Sequence, residues 1–116
     1  MRPCPPAAAR RVDLACGAGR HTALIAERYE QVLAVDLSAE MIEIARRRRP
    51  AVNVEYRVGD LHEVCGRFEL VFCSAALHDL PEADHALEHM RSLLAPGGLG
   101  SAPRRRRAQG RRSARR

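Results

Sequence analysis

The chain has 116 residues, enough for one small domain, and its composition of 46% hydrophobic residues with 2 Phe, 2 Tyr and no Trp predicts an aliphatic core without aromatic platforms for stacking nucleic-acid bases. The formal charge of +6 comes from one end, because residues 101–116 hold 8 arginines and no acid, whereas residues 1–100 hold 12 arginines against 14 acidic residues. Every basic residue is arginine, which excludes chemistry that depends on a P-loop lysine or a Schiff-base lysine.

The cysteines and the apolar segments indicate in which cellular compartment the protein is expected. The four cysteines include no Cys-x-x-Cys pair, so their spacing predicts reduced thiols and neither a zinc site nor a disulfide framework. Residues 1–6 are broken by prolines and lack the apolar run of a signal peptide. No stretch approaches the roughly 20 apolar residues that span a bilayer. We therefore expect a soluble, cytoplasmic protein with no membrane partner.

Short apolar runs alternate with amphipathic stretches from Arg11 onward, and this alternation predicts an α/β fold with helices covering a parallel sheet. The expected strands are 11–15, 31–36, 52–58 and 68–73, and the expected helices are 20–31, 39–49 and 81–94. Ser38 is expected to cap the second helix, because its hydroxyl can accept a backbone N–H. In the third helix the residues spaced to form one core-facing stripe are Ala83, Leu87, Met90 and Leu94.

The composition changes after the third expected helix. Residues 95–98 end that helix, and Leu99 alone follows as a strand-forming residue. The Arg-rich sequence beyond it cannot bury a core and predicts disorder. We therefore divide the chain into an N-terminal extension (1–10), one domain (11–99) and an Arg-rich disordered tail (100–116).

A glycine-rich loop joins the first expected strand to the first expected helix. It includes Gly17 and Gly19, and glycines at such a place let a ligand approach the backbone while the free N–H groups of the helix point outward. A dinucleotide-binding fingerprint would have a third glycine where this chain has Thr22, which argues against NAD.

Residues 13–22 resemble motif I of the class I (Rossmann-like) S-adenosylmethionine-dependent methyltransferases. Further segments that resemble elements of this family follow in the family's order: 35–42, 58–61, 68–80 and 93–99. The resemblance covers about residues 11–99 and implies a Rossmann-like parallel sheet with the cofactor across the carboxyl ends of the first strands. We recognise about four strands and none of the family's last strands. The fourth strand would then have an open apolar edge, through which self-association is expected.

At the methionine end of the cofactor, S-adenosyl-L-methionine, the resemblance implies roles for three residues. Gly17 and Gly19 would make room for the methionine part. Asp13 would help to hold its amino group, directly or through water.

At the adenosine end the resemblance implies roles for residues that follow the second and third strands. Asp36 ends the second expected strand 19 positions after Gly17, where folds of this kind place an acid within reach of a ribose diol. Asp36 would accept both ribose hydroxyls, Leu37 would also contact the cofactor, and Asp60 with the Leu61 backbone would read the adenine. The alternative is that the aspartates only cap helices or turns.

Histidines supply the remaining candidates for chemistry. His78 follows the fourth strand and is the candidate catalytic base if the acceptor must lose a proton, although a surface or packing role is an alternative. His85 and His89 lie one turn apart on the third helix, but no third ligand is evident, so we expect a solvated helix face and no metal.

The sequence thus predicts a methyltransferase-type protein that transfers a methyl group from S-adenosylmethionine to a small-molecule acceptor. The acceptor class follows from residues 77–80, which resemble the loop of small-molecule enzymes, and from the absence of an Asn/Asp-Pro-Pro-Tyr/Phe turn. Two alternatives stay open: a truncated, non-catalytic cofactor-binding remnant, and a protein that binds nucleic acid through the Arg-rich tail.

Overall fold

A single parallel sheet organises the chain in the computed structural model, which describes residues 11–73 and 82–101. Its strands are β1 (Arg11–Leu14), β2 (Val32–Asp36), β3 (Val54–Val58), β4 (Phe68–Cys73) and β5 (Leu94–Ser101). They pair in the order β3-β2-β1-β4-β5, and every neighbouring pair is parallel. The strand order therefore reverses between β1 and β4, and ligands of open α/β sheets bind at the carboxyl side of such a switch point.

The helices of the described residues are α1 (Arg20–Arg28), α2 (Ala39–Arg48), α3 (Ala83–Ser92) and a 3₁₀ helix (Leu61–Glu63). The expected cap of α2 is confirmed, because the Ser38 hydroxyl accepts the Met41 N–H at 3.1 Å. Glu40 lies in the first turn of α2 and three arginines in its last turn, so charges match the helix dipole at both ends.

Both faces of the sheet are covered. A larger cluster of buried side chains comes from β1, β2, β4, α3 and the segment after the 3₁₀ helix: Val12, Leu14, Leu33, Val35, Val64, Phe68, Val71, Cys73, Met90 and Leu93. A smaller cluster joins α2 to the sheet: Cys16, Ala34, Ile42, Ala45 and Tyr56. Burial on both faces explains why β2 reads as an unbroken apolar run.

The expected Rossmann-like α/β fold is confirmed, and the sheet has one strand more than expected. β5 pairs with β4 through a register shift between Phe68 and Leu70, so the expectation that β4 would be the open edge is wrong. β5 gives little sequence signal because it contains Pro96 and three glycines and most of its residues are exposed. An edge strand tolerates this composition, since backbone hydrogen bonds on one side suffice to pair it. β5 ends at Ser101, two residues beyond the expected domain boundary.

Other expectations are corrected in detail. In α3 the fully buried residues are Ala86 and Met90, followed by Leu93, so Met90 is the one fully buried member of the expected stripe. Ala83 and Leu87 are half-buried, and Leu94 packs against the larger core cluster but belongs to β5. Among the described cysteines, Cys16 and Cys73 are free thiols, whereas Cys65 is disulfide-bonded, so the expectation of reduced thiols is wrong at Cys65. Disulfides require spatial proximity, which sequence spacing does not reveal. Residues 1–10, 74–81 and 102–116 lie outside the described residues.

Helix length and polarity bear on the membrane. Within 11–73 and 82–101, no helix is long and apolar enough to cross a bilayer.

Candidate cofactor-binding site

A cleft of about 750 Å³ lies at the carboxyl ends of β1, β2 and β3. Its lining comes from the loop after β1, the ends of β2 and β3, the first turn of α2, the 3₁₀ helix and the residue before α3: Ala15, Gly17, Asp36, Leu37, Met41, Gly59, Asp60, Leu61, His62 and Glu82. Five of the seven residues that the sequence assigned to the cofactor therefore line one cavity: Gly17, Asp36, Leu37, Asp60 and Leu61. Its volume falls in the ordinary range for small-molecule sites.

The two glycines of the loop have different surroundings. Both adopt the left-handed backbone region, Gly17 with φ 58° and Gly19 with φ 86°. A Cβ on Gly17 would meet nothing within 4 Å, so this residue leaves open space at the cleft. A Cβ on Gly19 would lie 3.1 Å from the Tyr56 hydroxyl and 3.2 Å from Ala45 Cβ, so Gly19 allows close packing between the loop, α2 and β3.

Asp36 ties the loop after β1 to the end of β2. Its Oδ1 accepts the Gly17 N–H at 3.0 Å, and its Oδ2 accepts the Ser38 N–H at 3.0 Å. A carboxylate offers about four lone-pair sites, so two backbone donors leave capacity for the hydroxyls of a ligand. Asp36 is therefore oriented by the protein and still able to accept from the cleft.

Asp13 is placed beneath the loop and does not line the cleft. It is fully buried, and its Oδ2 accepts the hydroxyl of Thr22, also fully buried, at 2.7 Å. This bond connects β1 to α1 just below the glycines. A role for Asp13 in holding the amino group of a ligand stays a prediction.

Asp60 both caps the 3₁₀ helix and lines the cleft. It accepts the His62 N–H at 2.9 Å, and its own N–H donates to Glu63 Oε1 at 3.4 Å, which completes a capping box. The His62 ring stacks on His89, with centroids 5.5 Å apart, and His89 Nε2 lies 2.9 Å from the Val64 carbonyl oxygen. The capping alternative is thus real for Asp60, but it does not remove the residue from the cleft.

The apolar part of the lining is accessible to a ligand. Leu37 is 72% exposed and Met41 39%, whereas Leu61 is half-buried against the larger core cluster. Large apolar side chains that stand exposed at a concave surface are typical of ligand sites. Leu37 and Leu61 were expected at the site, and Met41 was not.

Sequence reasoning also missed His62 and Glu82. His62 follows Asp60 by two residues, and this position was the only available signal. Glu82 gave no signal, because it precedes α3 and reaches the cleft only through the fold. Its backbone is left-handed, with φ 53°, and its Oε1 lies 2.9 Å from His85 Nδ1.

The sequence also singled out three other histidines, of which the structure describes two. His78 lies outside the described residues, so its catalytic role stays a prediction. His85 and His89 have separate partners, Glu82 and the Val64 carbonyl. In the part of the chain that the structure describes, no three His, Cys, Asp or Glu side chains are grouped to hold a metal ion.

Cys16 lies in the glycine loop but is unsuited to nucleophilic chemistry. Burial raises the pKa of its thiol to about 12, and the charges of Asp13 and Asp36 add to the effect. The thiolate is the reactive form of cysteine, so this group stays an inert thiol at neutral pH. Burial also raises the pKa of Tyr56, whose hydroxyl donates to the Arg49 carbonyl at 2.8 Å.

Residues 12–98 match the family described as "Methyltransferase domain". Among curated relatives, the chain is 39% identical over 93 residues to a trans-aconitate 2-methyltransferase of Deinococcus radiodurans, covering 78% of this chain and 36% of the relative. It is 34% identical over 99 residues to a ubiquinone biosynthesis O-methyltransferase of Xanthomonas axonopodis pv. citri, covering 80% of this chain and 41% of the relative.

Solved structures show the same likeness. The complex of DhpI with SAH superposes with a TM-score of 0.71 at 33% identity, covering 79% of this chain and 47% of that chain. SAM-bound CalS10, an amino pentose methyltransferase from Micromonospora echinaspora, superposes with a TM-score of 0.68 at 34% identity, covering 81% of this chain and 42% of that chain. The chain therefore spans less than half the length of each of these proteins.

Proposed function

Because the chain belongs to the methyltransferase-domain family, as the match over residues 12–98 shows, we propose that it binds S-adenosylmethionine in the cleft and serves methyl transfer to a small-molecule acceptor. The observation that carries this proposal is the convergence of Gly17, Asp36, Leu37, Asp60 and Leu61 on one cavity. These residues come from three different strand ends, and their meeting at one place supports a shared ligand.

The lining suits the chemical parts of this cofactor. The open space at Gly17 leaves room for the methionine part of the cofactor close to the protein backbone. Asp36 has free acceptor capacity for a ribose diol, and the exposed side chains of Leu37 and Met41 offer apolar contact to an adenine ring. Asp60 and Leu61 would contribute the polar edge that distinguishes adenine from other bases.

The chemistry of the proposed reaction makes modest demands on the protein. S-adenosylmethionine supplies a methyl group that is already activated by its sulfonium. The residues of this chain hold the donor in a fixed orientation and keep water away from it, which is where most of the acceleration of such displacements arises. The hydrogen bonds from Gly17 and Ser38 to Asp36 serve this purpose, because they fix the carboxylate before a ligand arrives.

The acceptor is proposed by class only. Two of the relatives act, by name, on trans-aconitate and in ubiquinone biosynthesis, and both names denote small molecules. We carry the class of small organic acceptors to this chain and no individual compound. His78 remains our candidate base for an acceptor that must lose a proton.

Calorimetric titration with S-adenosylhomocysteine tests the binding step. We expect wild-type protein to bind, and Asp36→Asn to lose about tenfold or more in affinity because a hydroxyl acceptor becomes an amide. Asp84→Asn, an exposed position on α3 outside the cleft lining, is the matched control and should bind like the wild type. Folded wild-type protein that binds no S-adenosylhomocysteine would contradict the proposal.

Methyl transfer needs a separate measurement. Protein incubated with S-adenosylmethionine carrying a labelled methyl group is offered small organic acids, phenols and amines in one panel, and RNA, DNA and protein in another. We expect label to enter the first panel. Label that enters only the second panel would contradict the small-molecule acceptor, and cofactor binding without any transfer would favour the non-catalytic remnant.

A further inference from the structure

Glu82 gives the cleft a carboxylate that the proposed contacts to the cofactor do not use. Asp36 and Asp60, the two other acidic residues of the lining, have proposed roles at the adenosine end. None of the described lining residues is arginine, and the sequence contains no lysine. The described lining therefore holds three carboxylates, with a single histidine as its only basic side chain.

The position of Glu82 separates it from the other two carboxylates. Asp36 ends β2 and Asp60 follows β3, on one side of the central strand β1. Glu82 precedes α3, which lies between β4 and β5 in the chain, so it enters the cleft from the β4 side of the switch point. The acidic residues of the lining thus come from both sides of β1 in the sheet.

Glu82 is also held in an unusual conformation. Its φ of 53° places a non-glycine residue in the left-handed region, which is strained relative to ordinary backbone. Its side chain lies against His85, with Glu82 Oε1 2.9 Å from His85 Nδ1. Glycine would relieve the backbone strain, but it would remove the carboxylate from the cleft.

We propose that Glu82 is a specificity-determining residue, which makes the cleft prefer the cationic sulfonium of S-adenosylmethionine to the neutral thioether of S-adenosylhomocysteine. The inference rests on the proposed function, because it takes these two molecules as the ligands of the cleft. The two ligands differ by one methyl group and one positive charge. A nearby carboxylate attracts the charged donor and loses that attraction once the methyl group has left, so it favours donor binding and product release.

The Glu82 side chain is 72% exposed, so solvent limits the size of the effect. An exposed unit charge beside a binding site changes the affinity for another unit charge by about threefold to tenfold at low ionic strength, and less at high salt. Low-dielectric walls strengthen such fields inside a concavity. The ratio of the two dissociation constants is therefore the quantity to measure, because contacts common to both ligands cancel in it.

The test is calorimetric titration of the full chain with S-adenosylmethionine and S-adenosylhomocysteine at one fixed pH and low ionic strength. Glu82→Gln removes the charge and keeps the shape. Glu88→Gln, at an exposed position of α3 outside the cleft lining, makes the same change in net charge and is the matched control. Glu82→Gly removes both the charge and the backbone strain, and so keeps the test informative if Glu82→Gln folds poorly.

We expect Glu82→Gln and Glu82→Gly to reduce the preference for S-adenosylmethionine by about threefold to tenfold, Glu88→Gln to leave it unchanged, and about 0.5 M salt to shrink it in the wild type. An equal weakening of both ligands in the Glu82 variants would overturn the inference and leave the proposed function standing. Equal ratios in the Glu82 and Glu88 variants would do the same. Folded wild-type protein that binds neither ligand would overturn the proposed function and this inference together.

Discussion

At the scale of single residues, Gly17 and Gly19 share a left-handed backbone but differ in what surrounds them, and alanine separates the two roles. Gly19→Ala should lower the free energy of unfolding by about 2–3 kcal/mol, because backbone strain adds to contacts with Tyr56 and Ala45. Gly17→Ala should cost about 1 kcal/mol from the backbone alone and weaken S-adenosylhomocysteine binding, because the methyl group enters the cleft. Urea unfolding and calorimetry measure the two effects. Equal stability losses would contradict this division.

The buried pair Thr22–Asp13 makes a second prediction at this scale. Thr22→Val keeps the shape of the side chain but removes the hydroxyl that donates to Asp13 at 2.7 Å. A lost hydrogen bond to a buried charged group costs about 1.5–3 kcal/mol. Thr22→Ser keeps the donor and is the matched control, so urea unfolding should rank wild type, Ser and Val in that order. A valine variant as stable as the serine variant would show that the hydroxyl contributes nothing.

Cys16 makes stability depend on pH in the alkaline range. Its folded pKa of about 12 lies above the ordinary 9.0, so the unfolded chain loses this proton first and stability falls as pH rises from 9 towards 12. Between pH 8 and pH 10 the loss due to this group amounts to about 1.4 kcal/mol. Cys16→Ala has no thiol to titrate, so the stability difference between wild type and variant, measured by urea unfolding, should shrink by about 1.4 kcal/mol between these two pH values. A difference that stays constant would contradict the raised pKa.

At the scale of elements, the start of α2 depends on Ser38. Its hydroxyl satisfies the Met41 N–H, and Ser38→Ala leaves that donor without a side-chain acceptor, which costs about 1 kcal/mol. Ser38→Asp restores an acceptor and adds a negative charge at the positive end of the helix dipole, so it should match the wild type. Thermal unfolding of the three proteins checks the order. A loss in Ser38→Asp as large as that in Ser38→Ala would argue against the capping role.

Elements with strong local signals were predicted well, and elements held by distant contacts were not. The bounds of β4 and the cap of α2 follow from an unbroken apolar run and a serine before a helical pattern, both readable within a few residues. β5 forms because its backbone pairs with β4. Its glycines and its proline do not predict a strand, so this pairing could not be inferred from the local sequence. The stripe of α3 was partly right, because Met90 is buried, but the fully buried positions include Ala86 and the helix ends at Ser92, before Leu94.

The same distinction applies to the site. Gly17, Asp36 and Asp60 stand at the carboxyl ends of strands, so the parallel order of the sheet alone brings them together. Met41 and Glu82 reach the cleft from within α2 and from the residue before α3, and their arrival depends on how each helix packs. Sequence periodicity gives the face of a helix but not the distance between its end and a cavity.

At the scale of the whole molecule, the residues proposed to bind the cofactor lie at the carboxyl ends of the strands, and the core packs on both faces of the sheet. The larger cluster lies under the 3₁₀ helix and α3, and the smaller one under α2, so residues from both sides converge above the carboxyl ends. Ligand binding should therefore stabilise the entire fold. At about 100 times the dissociation constant, a ligand adds about 2.7 kcal/mol, which raises the melting temperature of a small domain by roughly 10 °C or more.

Deleting the Arg-rich tail distinguishes nucleic-acid binding by the tail from cofactor binding in the cleft. Residues 102–116 hold 8 of the 20 basic residues, and removing them changes the formal charge from +6 to −2. If the tail acts as an electrostatic arm, the full chain should bind single-stranded nucleic acid with a log–log salt slope of up to about −6, since each neutralised phosphate contributes roughly −0.7. The deleted chain should lose this binding and keep its affinity for S-adenosylhomocysteine, because every residue of the described cleft lining remains. Salt-sensitive binding that survives the deletion would place the nucleic-acid contact elsewhere in the chain, and a full chain without such binding would leave the cleft as its ligand site.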